Sequence, residues 1–255
     1  MLKIQTFGNK THITDLLIVH GLFGSGRNWR AIARNISSDR QVHVVDMRNH
    51  GESFWNADNS YESMAEDLKK IITSLKSPVD VLGHSMGGKA SMVLAINNPD
   101  LVNRLLIVDI APTKYQHDQS INISIMKNLP IDDLSRRSDA DLILKKTLPD
   151  DALRAFFLQS LIISPNGNSW QLNLDALDKN MDKIIGFPDV SGQFNGMTFF
   201  LKGELSNYIS DKDLPNINLL FPRNKIITIK NAGHWVHAEA TRDFLISVKK
   251  YLSGS

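Results

Sequence analysis

A serine framed by glycines, a histidine far downstream and a carboxylate between them are the residues whose types and spacing could do chemistry. The serine lies in Gly83-His84-Ser85-Met86-Gly87-Gly88, directly after the apolar run Val79-Asp-Val-Leu82. A Gly-x-Ser-x-Gly between a strand and a helix puts the serine on a tight, strained turn with its hydroxyl above the carboxyl ends of the strands. Residues two positions away must then be small, which Gly83 and Gly87 satisfy. Helix amides behind the turn offer partial positive charge where a tetrahedral oxyanion would form. Ser85 is therefore the candidate nucleophile for attack on a carbonyl.

A serine hydroxyl is a poor nucleophile until a base takes its proton, and Asn231-Ala232-Gly233-His234-Trp235 supplies an imidazole just after the apolar run Ile226-Ile-Thr-Ile229. Gly233 lets that loop turn sharply and aim His234 back over the sheet. His237, three residues on, reads as structural, because His-x-x-His without Glu after the first His is not the zinc-protease pattern. A third group must fix the imidazole tautomer, which calls for a carboxylate at a strand end. Asp109, in Asp109-Ile-Ala-Pro112 after the run Leu105-Leu-Ile-Val108, is the choice, with Glu204 and Asp211 as rivals and turn capping as its structural alternative. The glycines of His20-Gly21-Leu22-Phe23-Gly24 allow backbone amides to approach a reacting carbonyl, so the N–H groups of Leu22 and Met86 are the expected oxyanion hole. His20 reads as a loop brace, and Asp46-Met47-Arg48-Asn49-His50-Gly51-Glu52-Ser53 as architecture in which Arg48 pairs with a nearby acid.

The elements that must position these groups follow from hydrophobic pattern. Short β-branched runs at Leu16–Val19, Val42–Val45, Val79–Leu82, Leu105–Val108, Thr198–Leu201 and Ile226–Ile229 read as buried strands. Helix-length segments lie between several of them, with Tyr61, Met64, Ala65, Leu68, Ile71, Ile72 and Leu75 at three and four spacing. That alternation predicts an α/β fold with a mostly parallel central sheet flanked by helices; Leu2 to Phe7 adds an antiparallel edge. The rhythm breaks after Asp109, which predicts a helical cap at residues 113–190 inserted into a core of residues 1–112 and 191–255. Inside it, Pro149 is expected in the first turn of a helix through Ala152, Phe156, Phe157 and Leu161. Ser138 or Asp139 is expected to cap a helix carrying Leu142, Ile143 and Leu148.

Composition narrows the field. Hydrophobic residues make up 42% and charged residues 22%, as in an ordinary globular chain, which excludes a disordered one. The net charge of +2 comes with no basic stripe, so no nucleic-acid partner is expected. Without cysteine there is no disulfide, thiolate metal site or Cys nucleophile. The start MLKIQTFGNKTHIT lacks a signal peptide's apolar stretch and no run approaches the ~20 residues of a membrane span, so a soluble, cytoplasmic protein is the expectation.

Together, HGLFG, DMRNHGES, GHSMGG and NAGHW resemble the α/β-hydrolase superfamily over nearly the whole chain. HGLFGSGRNW, VDMRNHGES, GHSMGGKA, VDIAP and AGHWVHAE are most similar to the YbfF-type esterases, cytoplasmic capped serine hydrolases of short acyl esters and acyl-CoA thioesters. The resemblance implies that Asp109, within VDIAP, is the acid; the position where many relatives carry it is Ser206 here. It further implies activity on short to medium acyl esters and acyl-CoA thioesters, with Ser85, His234 and Asp109 as triad; the acyl-enzyme that a serine forms requires no cofactor or metal, and a monomer or homodimer is the expectation. A carbon–carbon bond hydrolase or lactonase with the same triad, or a non-catalytic ligand receptor, are the alternatives. Phe156, Phe157, Leu161, Trp170, Leu172, Leu174, Leu177 and Met181 are expected mostly to pack the cap, a few of them roofing the cleft to receive an acyl chain. Lys89, Lys114, Arg136 and Arg137 are candidates for a basic rim facing CoA.

Overall fold

The computed structural model describes residues 1–116 and 119–253; residues 117–118, within the expected cap, and 254–255 lie outside the described residues. Among the described residues seven strands form one sheet: β1 (Ile4–Phe7), β2 (Leu16–Val19), β3 (Val42–Val45), β4 (Val79–His84), β5 (Val102–Val108), β8 (Met197–Gly203) and β9 (Asn224–Ile229). Their order is β1-β3-β2-β4-β5-β8-β9. β1 pairs antiparallel with β3, Ile4 opposite Val45, and all other neighbours are parallel. Strands β2, β3 and β4 are buried along their whole length, which is why they read as continuous apolar runs rather than alternating ones.

Two cores cover the two faces. One packs α2 (Tyr61–Leu75) and α3 (Met86–Asn97) against the sheet, the other α1 (Arg30–Ile36) and α11 (Thr241–Leu252). Ser60 caps α2, its hydroxyl accepting the N–H of Ser63, and the apolar stripe predicted for this helix is the face it buries. α3 is buried on nearly every side, so it shows no amphipathic stripe at all. The chain leaves β2 toward β3 on one side and returns to β4 on the other. Strand order therefore reverses between β2 and β4, and the crevice beyond their carboxyl ends is where such sheets place ligands.

Between β5 and β8 the chain forms α4 (Ser120–Lys127), α5 (Arg137–Leu144), α6 (Asp151–Leu158), a hairpin of β6 (Leu161–Ile162) and β7 (Ser169–Trp170), α7 (Leu174–Lys179) and α8 (Met181–Ile185). Two local expectations change. Pro149 stands before α6 rather than in its first turn; Asp150 is the cap, accepting the N–H groups of Ala152 and Leu153, and the helix stops at Leu158 because Leu161 enters the hairpin. α5 begins at Arg137, where Asp139 reaches back to the Arg136 N–H, and it buries Ala140 and Leu144 while Leu142 faces solvent.

This segment is tied to the sheet's upper rim. Gly51 N–H donates to the Gln171 carbonyl and Asn173 N–H to that of Asn49, while the Tyr61 hydroxyl donates to Ile184 near the end of α8. The remaining helices are α9 (Leu214–Leu220) and α10 (Val236–Glu239), the second opening directly after the loop that carries His234.

Candidate active site

Ser85 occupies the turn between β4 and α3 with φ 51° and ψ −121°, a conformation that L-residues rarely adopt. Such strain survives only where its surroundings over-determine it. Here the Ser85 N–H donates to Val108 on β5 and the Ser85 carbonyl accepts from Lys89 one turn into α3. The flanking glycines are required by contact: a Cβ on Gly83 would stand 2.6 Å from the Gly87 carbonyl oxygen, and one on Gly87 2.3 Å from the His20 carbonyl oxygen.

His234 Nε2 lies 3.0 Å from Ser85 Oγ and its Nδ1 2.8 Å from Asp109 Oδ2. Ser85 and Asp109, 149 and 125 positions from His234 in sequence, form one hydrogen-bonded chain with it, Nδ1–H facing the carboxylate and Nε2 the serine hydroxyl. Asp109 is fully buried at the end of β5, with a positive φ of 50°. It also accepts the Gly203 N–H at Oδ1 and the Ser206 hydroxyl at Oδ2. Ser206 therefore stands beside the acid and donates to it. The rivals lie elsewhere: Glu204 accepts the Asn231 N–H at the foot of the histidine loop, and Asp211 is exposed at the start of a 3-10 turn.

The imidazole is held from several directions. The Tyr208 ring stacks on it at 3.9 Å between centroids, 20° from parallel. His84, next to the serine, donates through Nε2–H to the His234 carbonyl. Glu239 accepts the N–H groups of Gly233 and Trp235, one on either side of His234. None of Tyr208, His84 and Glu239 was predicted from sequence. Each is an ordinary residue type whose role depends on a neighbour distant in the chain, and only the proximity of Glu239 to the histidine loop gave a local hint.

Leu22 and Met86 face the serine from the β2 loop and from the first position of α3, and among the described residues neither N–H has a protein acceptor. Two histidines lock the β2 loop to the segment after β3. Met47 N–H donates to His20 Nε2, and Phe23 N–H to His50 Nε2 at 3.3 Å, so each loop supplies an acceptor to the other. The opposite ring nitrogens donate to the carbonyls of Gly21 and Arg48. Arg48 itself pairs with Asp67 at 2.7 Å. His237 stacks on Trp29 at 4.0 Å.

Burial keeps these histidines neutral. Desolvation lowers His20 to about 4, His50 to about 3 and His237 to about 3, and pushes His84 down as well. In the unfolded chain each titrates near 6.5, so below that pH the unfolded state binds more protons than the folded one. Their contribution to stability is complete above pH 6.5 and is lost as the pH falls toward 4 to 3. Each costs about 1.4 kcal/mol per pH unit in that window. The expected result is a urea midpoint that drops steeply from pH 6.5 to 4.5, and His50→Gln is expected to flatten that slope. A midpoint constant over this range would contradict it.

Lys89, expected at a basic rim, is instead buried: its ammonium donates to the carbonyls of Ile185 and Gly186 and sits over the Tyr115 ring, and burial lowers it to about 7. Arg137 donates to the Leu161 carbonyl, while Arg136 is exposed. Among the described residues no His, Asp or Glu cluster forms a metal site, and no helix is long and apolar enough to cross a membrane.

The sheet, the strained serine turn and the late histidine define an α/β hydrolase, and the family model for the alpha/beta hydrolase fold matches residues 15–241, so the chain belongs to that family. Within it the chain is 30% identical over 256 residues to Esterase YbfF of Escherichia coli, covering 99% of this chain and 98% of that one. It is 38% identical over 247 residues to the sn-1-specific diacylglycerol lipase ABHD11 of Mus musculus, covering 93% and 80%. A solved structure described as a marine microorganism esterase superposes with a TM-score of 0.92 at 37% identity, covering 98% of both chains.

Proposed function

We propose that this chain is a serine esterase acting on short to medium acyl esters, with Ser85 as nucleophile, His234 as base and acid, Asp109 as orienting carboxylate, and residues 113–190 as a cap over the core. The observation that supports it is the unbroken chain Ser85 Oγ, His234 Nε2, His234 Nδ1, Asp109 Oδ2, with both contacts at 3.0 Å or less. Relatives named as an esterase and a lipase agree with ester chemistry.

In the reading we favour, Ser85 Oγ bonds to the acyl carbon as His234 Nε2 takes the hydroxyl proton. The N–H groups of Leu22 and Met86 hold the oxyanion, and loss of one such donor typically costs on the order of 10²- to 10³-fold. The bond to the leaving oxygen then breaks and His234 returns the proton to it. Water repeats the cycle on the acyl-enzyme, its proton passing through His234, and releases the acid. Tyr208, stacked on the imidazole, and the buried Asp109, accepting at Oδ2, hold the ring in place through each half. An acyl-CoA thioester presents the same carbonyl and leaves by the same proton transfer.

The expected test result is a burst of p-nitrophenol from p-nitrophenyl acetate, close to one equivalent per chain, followed by slower turnover. A fluorophosphonate probe is expected to add its mass to the peptide containing Ser85. A protein that binds the ester without a burst and is not labelled would be a ligand receptor, and the proposal would fail.

A further inference from the structure

Ser85 stands at the junction of two cavities of unequal size. The smaller, about 50 Å³, is lined by Leu22, Met86, Ile110 and Ile184 together with Lys89. The larger, about 350 Å³, is bounded by Leu153, Phe156, Phe157 and Trp235, and His234 lines it. Leu22, Ser85, Gln119 and Tyr208 border both. His234 is absent from the lining of the smaller cavity.

Proton transfer decides which part of an ester goes where. The base that takes the serine proton must hand it to the leaving oxygen, so that oxygen lies within hydrogen-bond reach of His234 Nε2. Its substituent therefore extends into the cavity that His234 lines, and the acyl group is left with the other. Building on the serine-esterase reading, we infer that the substrate is an ester of a short acyl group with a bulky apolar alcohol: the Lys89 chamber takes the acyl group and the wall of Phe156, Phe157 and Trp235 takes the alcohol.

The smaller volume corresponds to about four water-sized groups, enough for an acetyl to butyryl unit. A longer acyl chain meets the Lys89 head, which is fixed by the carbonyls of Ile185 and Gly186 at the end of α8 and by the face of Tyr115. Displacing that head strands buried polar groups, whereas the aromatic wall opposite accepts an alkyl or aryl chain without loss of a hydrogen bond. Phe156 and Phe157 of α6 belong to the cap residues of which a few are expected from sequence to roof the cleft and receive an acyl chain; this division gives them the alcohol instead.

Octyl acetate and ethyl octanoate are isomers of equal apolar content that exchange the two halves of the ester, so comparing them isolates orientation. With the purified full-length chain and acid release followed by pH-stat, octyl acetate is expected to exceed ethyl octanoate in kcat/KM by about 100-fold. Lys89→Met, which keeps the unbranched stem and removes the charged head, is expected to narrow that ratio about 10-fold. Phe156→Ala, on the half-exposed side of α6, is expected to lower the ratio of octyl to ethyl acetate by about the same factor. Equal rates or a preference for ethyl octanoate, in an enzyme still labelled at Ser85, would overturn this division and leave the esterase reading standing. Absence of labelling together with absence of turnover on both isomers would overturn both.

Discussion

Ser85→Ala is expected to lower kcat on p-nitrophenyl acetate by about 10⁶-fold and to abolish both the burst and fluorophosphonate labelling. The magnitude follows from what is removed: without Oγ there is no acyl-enzyme, and His234 Nε2 has nothing at 3.0 Å to deprotonate. On the proposed mechanism, activity that persists would come from the amides of Leu22 and Met86 acting on direct attack by water. Because the nucleophile and base act as a unit, Ser85→Ala combined with His234→Ala is expected to be no slower than the single variant. Alanine keeps the same positive φ that Ser85 adopts, so the backbone strain is retained and Tm is expected to stay within about 2 °C. A large loss of kcat with unchanged Tm separates lost chemistry from lost folding. Substantial turnover by the variant would remove Ser85 from the mechanism.

How much of this could be read from residues alone varied with how tightly chemistry constrains residue type. A nucleophilic serine needs small neighbours and a strand-to-helix turn, so Gly83, Ser85 and Gly87 carry a local signature, and the contacts a Cβ would make there explain it. The strands were legible because a parallel sheet covered on both faces leaves unbroken apolar runs. Lys89 was misjudged because a lysine reads as a surface residue, and only the burial of α3 on nearly all sides shows where its head must go. Pro149 falls two residues short of the first helical position because the neighbouring Asp150 is the better cap. The reciprocal bonds of His20 and His50 were invisible for a different reason: each depends on the other's loop, and no spacing within either one encodes it. Ser206 was noted as a position without charge. That its hydroxyl turns toward Asp109 is a consequence of β5 and β8 being adjacent, which sequence order alone does not give.

Asp109→Asn is expected to cut kcat by about 10⁴-fold, the loss seen when a serine protease triad exchanges its carboxylate for an amide. The hydrogen bonds around Asp109 explain why no rotation of the amide rescues it. Oδ1 accepts the Gly203 N–H and Oδ2 accepts His234 Nδ1–H together with the Ser206 hydroxyl, so both sides of the group must be acceptors. Asparagine has one acceptor oxygen, and whichever way it points, its NH₂ meets another N–H. If that N–H belongs to His234, the ring switches tautomer and presents Nε2–H to Ser85, which then has no base. Glu204→Gln and Asp211→Asn, outside this network, are expected to stay within a few-fold of the parent; severe loss in Glu204→Gln would move the acid to the end of β8. Ser206→Ala removes one donor from the carboxylate and is expected to cost about 10-fold. Ser206→Asp alone puts two carboxylates side by side, where they share a proton and weaken the hold on His234 at neutral pH. In the double variant Asp109→Asn, Ser206→Asp that repulsion is gone and an acceptor again faces Nδ1. Recovery of at least 10-fold over Asp109→Asn alone is therefore expected, and its absence would show that only the β5 position can orient the imidazole.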